Sequence, residues 1–279
     1  MVYNEEIITS RQNQMVTATA KLADRKWREA DGLFRCDGVK LFGEAVLRGV
    51  EVAWVLLRAS DREKVLEKTA ALFGDTVTFS GIRVLTLADN VFDKLTDEKS
   101  PEGIITVGKY IDKFHKIVTI DNNCLFEGKG FYLLLESVRD PVNVGTMIRT
   151  AAAMGVTGVI MSRDCADLYH PKTLRAAMGT VFNLPVTVCE SLTEAATALR
   201  ADGHRVYAAA LDENAQPLHN LTPCPGDCIV IGNEGHGLSS ELIVAATAPV
   251  YIPMQANVES LNAAAAAAVL LWHFGASYR

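Results

Sequence analysis

Residues 131–155 read FYLLLESVRDPVNVGTMIRTAAAMG. FYLLLESV is an apolar run bounded by charge, the pattern of a strand covered on both faces. A polar turn follows, and then apolar residues at helical spacing, so the stretch predicts a helix from near Val144 with Asn143 as its N-cap. Arg149 lies six residues further on, about 9 Å along the axis at 1.5 Å per residue. Because helical side chains tilt towards the N-terminus, Asn143 and Arg149 can both face one ligand at the strand's end. Taken alone, an arginine between Ile148 and the AAAM stretch reads equally as half of a structural ion pair or as an active-site group.

The same strand, turn and helix rhythm continues to the C-terminus. GVTGVIMS, RVYAAAL, DCIVIG and APVYIPM are further strand candidates. Between them PKTLRAAMGTVF, LTEAATALRAD and SSELIVAAT read as helices, and LNAAAAAAVLLWHF follows the last strand. Such alternation predicts a parallel sheet with helices on both faces, whose ligands sit beyond the carboxyl ends of the strands. We therefore expect an α/β domain over 130–279.

Towards the N-terminus the pattern is also α/β but smaller. TATAKLADRKWREAD and VKLFGEAVLRGV predict helices, and VAWVLLR, VTFS and GIITVGKY predict strands. The mixed, glycine-containing segment 116–129 reads as a linker, leaving 1–115 as a first domain.

Composition bounds the function. With 49% apolar and 22% charged residues, the chain of 279 residues has the balance of a folded protein. The first residues lack a basic flank followed by an apolar stretch, and AAAAAAVLLW is too short and alanine-rich to span a bilayer, so a cytoplasmic protein without membrane contact is expected. Six cysteines at irregular spacing predict reduced thiols. The C-P-G-D-C pair at Cys224 and Cys228 matches neither a redox nor a zinc spacing, and no metal is expected. The net charge of −6 argues against wholesale electrostatic binding of nucleic acid. It is uneven, however: residues 1–60 hold nine Lys/Arg against eight Asp/Glu, and the remainder 18 against 25. Lys21, Arg25, Lys26 and Arg28 cluster on one expected helix, as a phosphate-binding patch or a solvated face.

Two more segments carry chemistry. CIVIGNEGHGLS runs from a buried strand into Gly232, Gly235 and Gly237. This G-x-x-G-x-G order is the reverse of the dinucleotide fingerprint, and no P-loop is present, so neither a nicotinamide nor a nucleoside triphosphate site is expected. In VYIPMQANVESLNAAAAAAV a strand ends at Ile252-Pro253-Met254, and Ser260-Leu261-Asn262 leads a helix. Ser260 reads as an N-cap, and Asn262 as a second local hydrogen-bonding group.

Together the three segments resemble the SpoU (TrmH) family of RNA ribose methyltransferases, of the SPOUT class. The matching motifs are N-x-G-x-x-x-R-T-A (Asn143 to Ala151), G-N-E-G-x-G (Gly232 to Gly237) and I-P-M…S-L-N (Ile252 to Asn262), in the family's order. The stretch from Ile8 through GLFRCDGVKLFGEAVLRG is similar to the L30e-like RNA-binding domain that precedes the catalytic domain in many members. The resemblance implies a deep trefoil knot, S-adenosylmethionine as methyl donor, and a homodimer whose subunits share the active site. It places the cofactor on Leu211, Gly232, Ile252, Met254 and Leu261, and the catalytic surround on Asn143, Arg149, Glu234, Ser260 and Asn262. RNA contacts are expected at Lys21, Arg25, Lys26, Arg35, Lys172 and Arg175, with pairing to acidic neighbours an equal alternative for Lys172 and Arg175. The sequence departs from the family at Ala256, where a glycine is usual, and at Ala177, where a serine is common.

The implied reaction is 2′-O-methylation of ribose, with 23S-type ribosomal RNA favoured over transfer RNA. A catalytically silent RNA-binding assembly factor is the rival from another class. Displacement at a sulfonium needs alignment and loss of the 2′ proton rather than a metal. The family gives the proton to the arginine at position 149, yet a guanidinium stays protonated above pH ~12, so its role stays open between base and charge stabiliser. Glu234, His236 and water are the other candidate acceptors.

Overall fold

The computed structural model describes residues 6–111, 117–118, 129–255, 257–258 and 260–278. The chain divides into two compact units, Met1–Ile111 with Tyr169–Asn183, and Asp112–Leu168 with Leu184–Arg279. The expected linker lies almost wholly outside the described residues, as does Ala256.

In the first unit, strands β1 (Ile7–Ile8), β2 (Leu33–Asp37), β3 (Val52–Arg58), β4 (Val84–Leu87) and β5 (Ile104–Lys109) form one sheet in the order β1-β4-β3-β5-β2. β1, β4 and β3 are parallel, and β5 runs antiparallel to β3 and β2. Helices α1 (Gln14–Lys21), α2 (Arg25–Asp31), α3 (Val39–Leu47), α4 (Arg62–Phe73) and α5 (Asp89–Phe92) connect them. The alternating side chains of β3 explain the two-sided burial: Val55 and Leu57 pack with Val39, Phe42 and Val65, and Leu56 packs with Val16, Leu87 and Phe92 on the other face.

Three local expectations change here. The single helix expected over residues 17–31 is two helices, because Asp24 accepts a hydrogen bond from the Lys26 amide and starts α2 afresh. VTFS is not a strand. Its Val77 and Phe79 are buried and Phe79 stacks on Phe42, so the alternation records burial, while the strand that pairs with β3 is the unanticipated Val84–Leu87. Leu33–Asp37, read only as part of a motif, forms the edge strand β2.

The second unit holds an eight-stranded sheet, all parallel. Its strands are β6 (Ile117–Val118), β7 (Tyr132–Leu135), β8 (Gly158–Ser162), β9 (Val186–Cys189), β10 (Arg205–Ala209), β11 (Gln216–Pro217), β12 (Asp227–Ile231) and β13 (Ala248–Tyr251), in the order β11-β13-β10-β12-β7-β8-β9-β6. Helices α6 (Pro141–Ala153), α8 (Leu192–Ala201), α9 (Ser240–Ala245) and α10 (Ala263–Phe274) complete it, and α7 (Pro171–Ala177) belongs to the first unit. Every residue of the YLLL strand is buried, as its unbroken apolar run predicts. Tyr132 and Leu134 meet the core under α8 and α9, while α6 packs against α10.

Candidate active site

Strand register gathers the motifs. Leu135 at the end of β7 lies opposite Ile231 at the end of β12, Ala208 of β10 opposite Val230, and Ala209 opposite Val250 of β13. The loops that follow these four parallel strands therefore leave from one edge of the sheet, its carboxyl end.

There the three motif loops are tied by a chain of side chains. The N-cap of α6 is Asp140, which accepts from the Val142 amide, with Pro141 in the first turn; Asn143 is one turn inside the helix rather than its cap. This frees the Asn143 amide. Its Nδ2 donates to Glu234 Oε1 at 2.9 Å, and its Oδ1 accepts from Asn262 Nδ2 at 3.1 Å. Asn262, not Ser260, caps α10: its Oδ1 accepts from the amides of Ala264 and Ala265. Every orientation is forced. The α10 cap needs an acceptor, so Asn262 turns its donor to Asn143, and the carboxylate of Glu234 needs the donor that Asn143 has left.

Glu234 also accepts from the main-chain amides of Arg139 and Asp140, at 3.1 and 3.2 Å. Partial burial raises its pKa, but the hydrogen bonds from Asn143 and these amides outweigh it and hold the carboxyl below the ordinary glutamate value. A carboxylate so engaged is a clamp and a weak base. The neighbouring glycine turn is equally constrained. A Cβ at Gly232 would lie 2.4 Å from the main-chain carbon and oxygen of Gly237 and 2.7 Å from the Leu238 nitrogen, so only glycine fits that crossing. His236 is exposed in the same turn.

Several supports were not legible as site residues. Asn233 donates from Nδ2 to the Ser137 carbonyl at 2.8 Å and accepts from the Gly235 and His236 amides. Glu136 accepts from both the amide and hydroxyl of Ser239, the N-cap of α9. Ser137 has φ 54°, unusual for a residue with a Cβ, and donates from Oγ to Asp164 at 2.6 Å. Asp164 also takes Ser162 Oγ and the Arg139 guanidinium. Burial works against the Asp164 carboxylate, yet these partners lower its pKa. The D-P pair at Asp140 was the one readable signal, since aspartate followed by proline marks a helix start.

Beside this chain lies a pocket of about 160 Å³ lined by Ala210, Leu211, Ile252, Met254, Ser260 and Leu261, with Ala266 and Leu270 of α10 at its base. Its lining is mainly apolar, and the chain at 210–211, 252–254 and 260–261 is irregular, neither helix nor strand. Leu211 is 74% exposed and Leu261 40%, so large apolar side chains stand open at the mouth. That chemistry fits a flat heteroaromatic nucleoside gripped by main-chain hydrogen bonds. Ser260 joins the lining, whereas Gly232 acts one loop away through the crossing just described.

Arg149 is exposed on α6 and makes no hydrogen bond or ion pair with the described residues. The residues expected to touch RNA divide. Lys21, Arg25, Lys26 and Lys172 are exposed, and Arg25 pairs with Glu29 at 2.6 Å. Arg28 is buried and Arg175 pairs with Glu98 at 2.7 Å and Asp37 at 3.6 Å, which fills the acidic-neighbour alternative. Arg35 is a correction: it points into the first unit at 3% exposure, where burial lowers its pKa against the pull of Asp37, so it is no surface contact. Asp37 is raised by the same burial, opposed by Arg35, Thr96 and Arg175. Among the described residues there is no cluster of three metal-ligating side chains, and no helix is long and apolar enough to cross a membrane.

Residues 13–106 match the MRM3-like substrate binding domain. The chain is 32% identical to the 23S rRNA (guanosine(2553)-2′-O)-methyltransferase RlmP of Bacillus subtilis, over 95% of this chain and 98% of that one. It is 30% identical to the 23S rRNA (uridine(2479)-2′-O)-methyltransferase of Streptomyces viridochromogenes, over 95% and 90%. The structure of an AdoMet-bound rRNA methyltransferase from Sinorhizobium meliloti superposes with a TM-score of 0.79 at 27% identity, covering 96% of this chain and 97% of that one. Residues 130–272, which contain the Glu234–Asn143–Asn262 chain and the pocket, match the SpoU rRNA Methylase family, and the protein belongs to that family.

Proposed function

We propose that this protein transfers a methyl group from S-adenosylmethionine to a ribose 2′-hydroxyl of 23S-type ribosomal RNA. The observation that carries the reading is the hydrogen-bonded chain from Glu234 through Asn143 to Asn262, which locks three motif loops beside an apolar, main-chain-rich pocket. When bound, the donor supplies an electrophilic methyl on a sulfonium. Leu211, Ile252, Met254 and Leu261 grip its adenosine by apolar and main-chain contact, Gly232 keeps the neighbouring loop closed, and Ser260 and Asn262 border the reacting end. The Arg149 guanidinium holds the RNA phosphate or the developing 2′ alkoxide, and the proton leaves to water, since Glu234 already accepts three hydrogen bonds that hold its carboxyl below the ordinary glutamate value.

The rest of the assembly is read in the same way. α10 turns Ala265, Val269 and Trp272 outwards, with Trp272 61% exposed, an apolar stripe suited to a second copy of the chain in a homodimer. We place the protein in the cytoplasm, with a substrate-binding domain over 1–115, a linker over 116–129 and a knotted methyltransferase domain over 130–279. Exposed Lys21, Arg25, Lys26 and Lys172 meet RNA phosphates.

The test is incorporation of labelled methyl groups into unmodified total RNA, followed by nuclease mapping of ribose methylation. Label confined to the ribose of large-subunit ribosomal RNA is expected. Label in transfer RNA would move the substrate class, and donor binding without transfer to either RNA would favour a silent binder.

A further inference from the structure

The corner between α1 and α2 presents an indole that the chemistry above does not use. Arg28, 1% exposed, donates from Nη1 to the carbonyl oxygens of Leu22 and Ala23, both at 2.8 Å, and closes the C-terminal end of α1. Asp24 caps α2, and Trp54 Nε1 donates to Thr19 Oγ1 at 3.0 Å, tying α1 to β3. The corner is therefore fixed on three sides. On it Trp27 stands 37% exposed, with Lys21 Nζ 4.6 Å and Lys26 Nζ 5.6 Å from its ring centroid. Neither lysine forms an ion pair with the described residues, whereas Arg25 is held by Glu29.

A partly exposed aromatic ring on a fixed corner, flanked by two ammonium groups without ion-pair partners among the described residues, is the combination that binds single-stranded nucleic acid, bases on the ring and cations on the backbone. An acidic peptide would use the lysines and leave the ring idle. Duplex RNA would offer phosphates but no free base face. We propose that Trp27 is a stacking platform for an unpaired base of the RNA substrate, with Lys21 and Lys26 swinging from the ring to the flanking phosphates. The proposal rests on the RNA-methyltransferase reading and adds to it where in the first unit the RNA is held and in what state.

The experiment measures binding of a fluorescein-labelled single-stranded RNA of mixed sequence, and of its blunt duplex, to the full-length protein. Trp27→Ala should weaken the single strand roughly 5- to 150-fold, the span of one stacked base, and leave the duplex nearly unchanged. Trp27→Phe should recover most of the loss. The slope of affinity against salt should stay put in Trp27→Ala but fall by about 1.4 in the Lys21→Ala/Lys26→Ala double variant, about 0.7 for each phosphate contact. Wild-type affinity in both Trp27 variants, or an equal loss for single strand and duplex, overturns the platform. Methyl transfer to total RNA is run in parallel. An active wild type with an unaltered KM in Trp27→Ala sinks the platform alone, and an inactive wild type sinks the enzyme reading while binding still judges Trp27.

Discussion

Asn262 donates from Nδ2 to Oδ1 of Asn143 at 3.1 Å, across 119 residues of chain. Each asparagine also has a second partner, Glu234 for one and the first turn of α10 for the other. Removing either amide strands a polar group in a partly buried place, which costs about 1–3 kcal/mol. Asn143→Ala and Asn262→Ala should each lower the unfolding free energy by that order. In a double-mutant cycle the pair should show a coupling of about 0.5–3 kcal/mol. Additive losses in chemical denaturation would mean that the contact does not bind the loops together.

Glu234 makes stability depend on acid. Its pKa is depressed in the folded protein, so its contribution is present above the ordinary glutamate value of about 4.3 and is lost as pH falls through the folded value. Glu234→Gln should flatten the decline in melting temperature below about pH 4.5 and change little at pH 7 beyond a constant offset. Parallel melting curves for the two proteins through the acid range would contradict the assignment.

Arg149 should separate chemistry from folding. It is exposed and without a partner among the described residues, so Arg149→Ala should move stability by no more than about 0.5 kcal/mol. Methyl transfer should fall by about 100-fold or more, the scale of losing one charge stabiliser in the transition state. Calorimetric affinity for S-adenosylmethionine should stay within a small factor. A loss of donor binding equal to the loss of rate would place Arg149 at the cofactor instead.

Gly232→Ala tests the closed crossing of the second motif. The added carbon meets main chain of Gly237 and Leu238 and no flexible side chain, so the loop must open. Destabilisation of about 1–3 kcal/mol is expected, with donor affinity reduced. Wild-type affinity in a folded variant would show that the crossing is independent of the pocket.

The strands and most helices of the second unit were readable because the sheet is covered on both faces: YLLL, and DCIVI after Asp227, are unbroken apolar runs separated by helical periods. The first unit was less legible. Val77 and Phe79 alternate like a strand because both are buried, and hydrophobic period cannot tell burial beneath a helix from pairing in a ladder. At the site, the motif residues stood out by type and spacing, but their partners did not. Glu136, Ser137 and Asp164 act mainly through hydrogen bonds to residues 25 to 103 positions away, which no local pattern encodes. Arg35 failed for a related reason: sequence gives charge, and only packing says whether that charge faces water.

The span between Asn143 and Asn262 also sets an order in time. Closing so long a loop costs chain entropy before any contact is gained, and the last link arrives only when the helix of Ala263–Phe274 is in place. During synthesis, residues 143 and 234 exist well before 262 does. A nascent chain therefore has its first two motifs but no bridge to the third until the helix of Ala263–Phe274 has formed. The joining of the three loops thereby becomes a report that synthesis has passed the helix of Ala263–Phe274.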